Sequence, residues 1–196
     1  MSLPQPYYSD ERVTLFHADC RDLLPFLPKV DLVLTDPPYP DYYADEYKYE
    51  DGLIDFLKDM ECRQLVFWSA KADFPLDYTA IHIWDKKTGC GSEYERIFDR
   101  HGGKNWKMFR YYLINSTLAA SWQHDIFTGH KSQKPIALML DLVKFGKSNL
   151  ILDPFAGSCT TLVAAKQLGR KSIGIELSEK YCEIGAKRLS QEELFS

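Results

Sequence analysis

Two rhythms of apolar and polar positions run through this chain. Residues 30–36 (VDLVLTD), 63–69 (RQLVFWS) and 149–155 (NLILDPF) are short, nearly unbroken apolar runs. Such runs suit strands buried on both faces of a parallel sheet. Residues 13–19 and 172–177 read as further strands. Residues 80–86 and 94–100 read as two strands joined by a turn at 87–92, where Gly89 and Gly91 suit a hairpin. Helical spacing occurs between them. In residues 51–60 the apolar positions are Leu53, Ile54, Leu57 and Met60. Residues 20–27, 134–145, 160–168 and 178–189 also read as helices, with Pro135 in a first turn and Ser178 as an N-cap. Residues 102–129 have no firm period. The pattern predicts an α/β fold: a doubly wound, mostly parallel sheet of seven strands with one antiparallel hairpin. Residues 1–196 form one domain in this reading, with residues 102–129 as a small insertion.

Three segments at predicted strand ends carry candidate chemistry. Thr35-Asp36-Pro37-Pro38-Tyr39-Pro40 follows the strand at 30–36, and ligands of open α/β sheets sit at the carboxyl ends of strands. The prolines supply no N–H and force extended geometry on the residues before them. The segment therefore offers a carboxylate, bare carbonyls and an aromatic ring, which suits an exocyclic amino group on a planar base. Leu152-Asp153-Pro154-Phe155-Ala156-Gly157-Ser158-Cys159-Thr160-Thr161 lies between a strand and a helix. Its small residues let backbone approach a ligand at a helix N-terminus. Glu176 ends the next strand, 19 residues past Gly157, where nucleoside-binding sheets place an acid for ribose hydroxyls. Neither a P-loop nor a G-x-G-x-x-G pattern is present. His130-Lys131-Ser132-Gln133-Lys134-Pro135 leads into a helix, a setting for the carboxylate of a small ligand or simply a helix entry.

Charge sharpens this picture. The 196 residues carry 24 basic and 28 acidic side chains, a net charge of −4, which argues against a general nucleic-acid coat. The balance is uneven: residues 1–83 hold 7 basic and 16 acidic side chains, residues 84–134 hold 9 and 5, and residues 135–196 hold 8 and 7. An anionic partner is expected at the middle third. No run of 18 apolar residues suggests a membrane span, and residues 1–12 do not read as a secretory signal. Five widely spaced cysteines (Cys20, Cys62, Cys90, Cys159 and Cys182) with no C-x-x-C pair suggest reduced thiols in a cytoplasmic protein, and no metal knuckle.

Taken in order, these motifs resemble the amino-group DNA methyltransferases that use S-adenosylmethionine. The resemblance spans about residues 13–189. D-P-P-Y matches the family's catalytic motif, D-P-F-x-G-S-x-T-T its cofactor loop, and H-K-S-Q-K-P the segment preceding that loop. Trp84-Asp85-Lys86 and Ser92-Glu93-Tyr94-Glu95-Arg96-Ile97 look like its late hairpin. The catalytic motif precedes the cofactor motif, as in the circularly permuted β group, whose fold is Rossmann-like. D-P-P-Y rather than S-P-P-Y favours adenine N6 over cytosine N4. One residue departs from the pattern: the family's loop usually reads F-x-G-x-G, and Cys159 stands at the second glycine. A side chain there is expected to crowd the cofactor or shift the loop, but Cys is small, so cofactor binding is expected to survive in weakened form. No Pro-Cys dipeptide supports C5-cytosine chemistry.

The resemblance implies roles. Asp36 and the Pro37 carbonyl, with Pro38 and Tyr39, would handle the target amino group and stack on a flipped base. Asp153, Phe155, Ala156, Gly157, Ser158, Thr160 and Glu176 would hold the cofactor, with Ser132 and Lys134 toward its methionine end. Asp19 either joins them or is a helix N-cap. Lys86, Lys87, Lys104, Lys107 and Arg110 are candidate DNA contacts. Around them Trp106, Phe109, Tyr111, Tyr112, Trp122 and His124 suit base stacking or a small aromatic subdomain. The acidic, aromatic segment 39–49 reads either as a lid or as a solvated loop. Double-stranded DNA is the implied partner, homodimers occur in the group, and no metal is called for. Restriction-modification is the implied setting, with a bacterial or phage source. Cytosine-N4 or RNA-adenine methylation and an inactive nucleic-acid-binding homologue are the competing readings.

Overall fold

A computed structural model of the chain describes residues 3–40, 49–87, 93–113, 128 and 133–191. Thirteen regular elements follow one another: β1 (Tyr8–Ser9), β2 (Val13–His17), α1 (Cys20–Leu23), β3 (Leu32–Thr35), β4 (Arg63–Trp68), β5 (Ala80–Asp85), β6 (Tyr94–Arg100), β7 (Met108–Arg110), α2 (Ile136–Gly146), β8 (Leu150–Asp153), α3 (Thr160–Gln167), β9 (Lys171–Glu176) and α4 (Glu179–Gln191). Among the described residues the strands form one sheet, ordered β1-β2-β9-β8-β3-β4-β6-β5-β7. Pairing is parallel from β2 through β9, β8 and β3 to β4. It is antiparallel for β1–β2, β4–β6 and the β5–β6 hairpin.

The apolar runs have the expected consequence. All four residues of β3 are buried, and five of six in each of β4 and β9. Successive residues enter opposite cores, as the two-residue period of a strand demands. Leu32, Leu34, Leu65 and Phe67 pack with Leu138, Leu142, Leu162 and Val163 of α2 and α3. Val33, Val66 and Trp68 pack with Leu23 of α1 and with Ile54 and Leu57 on the other face. Helices thus cover both sides of the central strands.

Several expectations needed correction. Among the described residues the sheet has nine strands rather than seven. The two additions, β1 and β7, are edge strands of two and three residues, too short for a period to register. β7 pairs in parallel with β5 and so docks the start of segment 102–129 on the sheet. His82, fully buried, fixes that docking: its Nδ1 accepts from Lys107 N–H at 3.0 Å, and Nε2 therefore donates to Asp99 at 3.1 Å. The helix expected at 51–60 is only a 3₁₀ turn at Asp55–Asp59. Gly52, with φ of 82°, breaks the preceding turn. α1 stops at Leu23 because Pro25 cannot donate the next hydrogen bond, and a 3₁₀ turn at Leu24–Phe26 follows. α2 begins one residue after Pro135, leaving Lys134 in the extended approach. Before α4, the Ser178 carbonyl accepts from Cys182 N–H at 3.0 Å, as an N-cap carbonyl does. The turn at 88–92, with Cys90, lies outside the described residues. Among those described, Cys20, Cys62, Cys159 and Cys182 are free thiols, and no helix is long and apolar enough to cross a membrane.

The Cys159 question resolves through packing. The residue has φ of 62°, a left-handed conformation that explains why a glycine is usual there. Its side chain is fully buried and turns toward α4, where Gly185 makes room. A Cβ at Gly185 would lie 2.2 Å from Cys159 Sγ and 3.1 Å from its Cβ. Gly185→Ala is therefore expected to destabilise the fold by about 1–3 kcal/mol, the range for overpacking a core. Most of that loss should disappear in a Cys159→Gly background, which removes the sulfur. Urea unfolding of the two single variants and the double variant measures the coupling.

Candidate functional site

Four neighbouring parallel strands, β2, β9, β8 and β3, end at one edge of the sheet, and each delivers a carboxylate there. Asp19 follows β2, Glu176 closes β9, Asp153 closes β8, and Asp36 follows β3. These residues line a single cleft of about 260 Å³. Its lining also contains Pro37, Pro38 and Tyr39 of the first motif, Phe155, Ala156, Gly157, Ser158 and Thr160 of the second, and Lys134 of the third. Strands separated by more than a hundred residues in sequence thus bring together the sequence-predicted catalytic and cofactor residues. Ser132 lies outside the described residues, as do 41–48 of the acidic segment, Trp122 and His124.

The loop between β8 and α3 is held from several sides. Both oxygens of Glu176 accept backbone hydrogen bonds, from Gly157 N–H at 2.7 Å and Ser178 N–H at 2.8 Å. Ala156 N–H donates to the Ile175 carbonyl at 2.9 Å. Beneath the loop, buried Arg188 of α4 donates to the Ser158 carbonyl at 2.6 Å and to Thr160 Oγ1 at 3.0 Å. The sequence reading missed Arg188, and nothing local to it signals the role. Cys159 does not line the cleft. Burial pushes its thiol well above the ordinary range, so it is no thiolate nucleophile.

Asp153 is almost fully buried. Its Oδ1 accepts from Thr35 Oγ1 at 2.8 Å and from Phe155 N–H at 3.2 Å. Burial raises its pKa to about 6 despite the hydroxyls of Thr161 and Thr35, and the nearby Asp36 adds to the rise. Asp19 caps α1, as one of its two readings anticipated, by accepting from Arg21 N–H at 2.9 Å. Its pairing with the Arg21 guanidinium at 2.6 Å holds its carboxyl below the usual range. It lines the cleft as well, so the two roles are compatible.

Asp36 is the most unusual group. Its Oδ2 is paired with the Lys134 ammonium, while its Oδ1 is buried without a hydrogen-bond partner. Burial raises its proton affinity, Glu95 adds to that, and Lys134 opposes it. Tyr39 is set by an aromatic contact with Trp68, ring centroids 5.8 Å apart. Lys134 was expected to face the methionine end of a cofactor. Although it borders the cleft, its ammonium is engaged by Asp36 and Glu95.

The candidate DNA contacts separate into two groups. Lys86 turns inward, 2.8 Å from Glu95 and over the Trp84 ring, because Glu95 beside it on β6 is a buried acid in need of a countercharge. It therefore does not join the others. Lys104, Lys107 and Arg110 are exposed on or next to edge strand β7, with Trp106 and Tyr112 exposed beside them. Lys87 lies over the Tyr112 ring at 4.5 Å.

The cleft suits a nucleoside bearing a cationic group. Its charged lining is five carboxylates against two cations, with Phe155 as an apolar face and the small-residue loop at the α3 N-terminus. Among the described residues no group of three His, Cys, Asp or Glu is arranged to hold a metal. Comparison with known proteins agrees with this geometry. The N6/N4 methyltransferase family, described as DNA methylase, matches residues 63–187. The type II methyltransferase M.ScaI of Streptomyces caespitosus is 42% identical, covering 97% of this chain and 86% of its own. The DNA adenine methyltransferase YhdJ of Escherichia coli (strain K12) is 26% identical over 93% of this chain and 84% of its own. Both alignments, of 266 and 251 positions, exceed the 196 residues here, so these relatives carry extra segments. The crystal structure of M1.HpyAVI in complex with SAM shares the fold, with a TM-score of 0.59 and 22% identity over 90% of this chain and 98% of that one. Motifs, cleft and family match converge: the chain belongs to the N6/N4 DNA methylase family.

Proposed function

We propose that this protein transfers a methyl group from S-adenosylmethionine to the exocyclic N6 amino group of adenine in DNA. The observation that carries the reading is the buried, unpartnered Oδ1 of Asp36, a residue that lines the same cleft as the cofactor-type loop. An orphaned buried acceptor is costly unless something occupies it, and an amino N–H would. The order of the motifs supports the permuted β-group arrangement, with the catalytic half first.

When bound, S-adenosylmethionine supplies an electrophilic methyl group on a cationic sulfur. The chain's own residues do the rest. Glu176 and Asp19 would hold the sugar and base end, each carboxylate oxygen retaining lone pairs beyond those already used. Phe155 gives a stacking face, and Asp153 offers a negative charge to the cation. Asp36 Oδ1 and the Pro37 carbonyl accept the two hydrogens of the target amino group, which aims its lone pair at the methyl group. Tyr39 stacks on the base after it leaves the duplex. Transfer would then be one in-line displacement: the amino nitrogen bonds the methyl carbon as the sulfur–methyl bond breaks, S-adenosylhomocysteine leaves as a neutral thioether, and one amino proton passes to Asp36, a step that needs orientation and charge placement. Lys104, Lys107 and Arg110 on the β7 edge would meet phosphates, with Trp106 and Tyr112 beside them. Residues 102–129 would be the target-recognition element, and so short an element supports a reading of few bases, or a second copy supplying more surface. A cytoplasmic, restriction-modification setting fits the type II relatives.

Labelled-methyl transfer to plasmid DNA, with mapping of the modified base, tests the proposal, and N4-methylcytosine in place of N6-methyladenine would overturn the adenine assignment. Asp36→Ala is expected to abolish transfer while S-adenosylmethionine binding stays measurable by calorimetry. Asp153→Asn should reveal what the buried acid costs. In the folded protein this carboxyl keeps its proton to about pH 6, whereas its unperturbed value is 3.8. Its contribution to stability is thus full below 3.8 and lost as pH rises through 6. The variant should resist urea better at pH 8, by about 3 kcal/mol, match the parent near pH 3.5, and bind the cationic cofactor more weakly. Lys104→Ala or Arg110→Ala should weaken binding of all duplex sequences alike. If each removes one phosphate contact, the slope of log K against log salt becomes shallower by about 0.9 per variant.

A further inference from the structure

Behind Asp36 lies a row of charges that the family motifs do not explain. Asp36 Oδ2 pairs with Lys134, the Lys134 ammonium stands 3.3 Å from Glu95 Oε2, and Glu95 Oε1 meets Lys86 at 2.8 Å. The signs alternate and sum to zero. The row crosses three parts of the fold: the end of β3, the approach to α2, and the β5–β6 hairpin. Its middle is the most enclosed, with side-chain exposures of 7% for Lys134 and 11% for Glu95. Aromatic walls confine the ammonium, whose nitrogen lies 4.9 Å from the Phe67 ring centroid and 5.8 Å from that of Trp84. Those contacts favour a cation and leave little room for the lysine to swing toward the cleft.

This arrangement treats the two oxygens of Asp36 differently. One is spoken for; the other is buried and bare. A carboxylate free to rotate would present either oxygen in many orientations, and a misplacement of about 1 Å is enough to slow an oriented transfer by about a hundredfold. We propose that Lys134, held in turn by Glu95, is a positioning residue for the methyl transfer, tying one oxygen of Asp36 so that Oδ1 is the fixed acceptor for the target amino group. The inference rests on the reading of Asp36 as that acceptor. It assigns Lys134 to the target side of the reaction rather than to the methionine end of the cofactor.

The row also sets the charge of Asp36. Burial favours its neutral form, Glu95 does so too, and Lys134 and Lys86 oppose them. For Lys134, burial works against the charge, but Asp36 and Glu95 outweigh it and hold the ammonium above the usual lysine range. Tyr39, on the same loop as Asp36, acts on Lys134 in the same direction. Glu95 stays low because Lys134 and Lys86 overcome its burial. Asp153, at the end of β8, is the other acid that feels Asp36. Removing Lys134 therefore raises the proton affinity of Asp36, whereas removing the Glu95 charge lowers it.

Single-turnover methyl transfer to duplex DNA across pH, with calorimetry of S-adenosylmethionine, reads this out for Lys134→Met and Glu95→Gln. Lys134→Met is expected to slow transfer at saturating cofactor by about a hundredfold, with the acid limb of the rate profile moved to higher pH. The cofactor dissociation constant should stay within about threefold of the parent's. Glu95→Gln should slow transfer by about tenfold, since Lys134 is then held from one side only, and move the acid limb to lower pH. A merely structural role would not shift the two limbs in opposite directions. The proposal is overturned if Lys134→Met keeps the parent's rate and profile, or if it loses cofactor affinity with an unchanged saturated rate. Carbon NMR titration of the Asp36 carboxyl needs no turnover. Its midpoint should rise in Lys134→Met and fall in Glu95→Gln, and an unmoved midpoint overturns the proposal. If the parent methylates no DNA, the functional reading fails instead, and the titration still decides whether Lys134 governs Asp36.

Discussion

Everything at this site depends on four parallel strands ending level with one another. Strand pairing sets His17 beside Glu176, Gly174 beside Asp153, and Leu152 beside Val33, so the residues that follow emerge at one edge. Parallel pairing has a direction as well as a register. All four carboxyl ends face the same way, and the acids they carry converge. An antiparallel pair in that stretch would send one acid to the far side of the domain. The helices on both faces exist, in this sense, to keep β2, β9, β8 and β3 buried and aligned.

Convergence creates an electrostatic problem, because buried carboxylates repel one another and resist desolvation. The fold answers it differently for each acid. Asp19 is partly exposed and takes Arg21. Glu176 spends its oxygens on backbone N–H groups. Asp153 has hydroxyls and one N–H but no cation, and its proton affinity rises accordingly. Asp36 takes a lysine. The acid left without a full countercharge borders the cleft that a sulfonium would enter, where a second positive charge would be a disadvantage.

The strands and motifs were legible because they are local. An unbroken run such as LVLT can hardly avoid burial on both faces, and D-P-P-Y declares its geometry through proline. Cys159 was visible as a departure, but its consequence was not, since that depends on Gly185, 26 residues later on another helix. Lys134 shows the limit most clearly. Its motif suggested the carboxylate of a small ligand, and the structure adds an anion that no local pattern could reveal, Asp36, 98 residues away. Lys86 misled for a related reason: a lysine in a basic segment reads as a phosphate contact until Glu95 is placed next to it. Edge strands β1 and β7 were missed because two or three residues have no rhythm to detect.

The net charge of −4 is therefore a poor guide to the partner, and placement explains why. Much of the acidic excess is gathered within the first 83 residues, where some of it lines the cleft; the basic residues of the middle third divide between an inward-facing set and an outward-facing one. Lys86 and Lys134 are absorbed in neutralising Glu95 and Asp36. Lys104, Lys107 and Arg110 remain exposed on one narrow strip at the β7 edge. A polyanion meeting this surface would find attraction along that strip and repulsion around the acidic lining beyond it. On the proposed reading, such a field would favour binding in one orientation, with the strand edge against the backbone and the cleft facing the target base. On the proposed reading, a small recognition element would orient a duplex even where it touches few base edges, since phosphate contacts set register before any base is read.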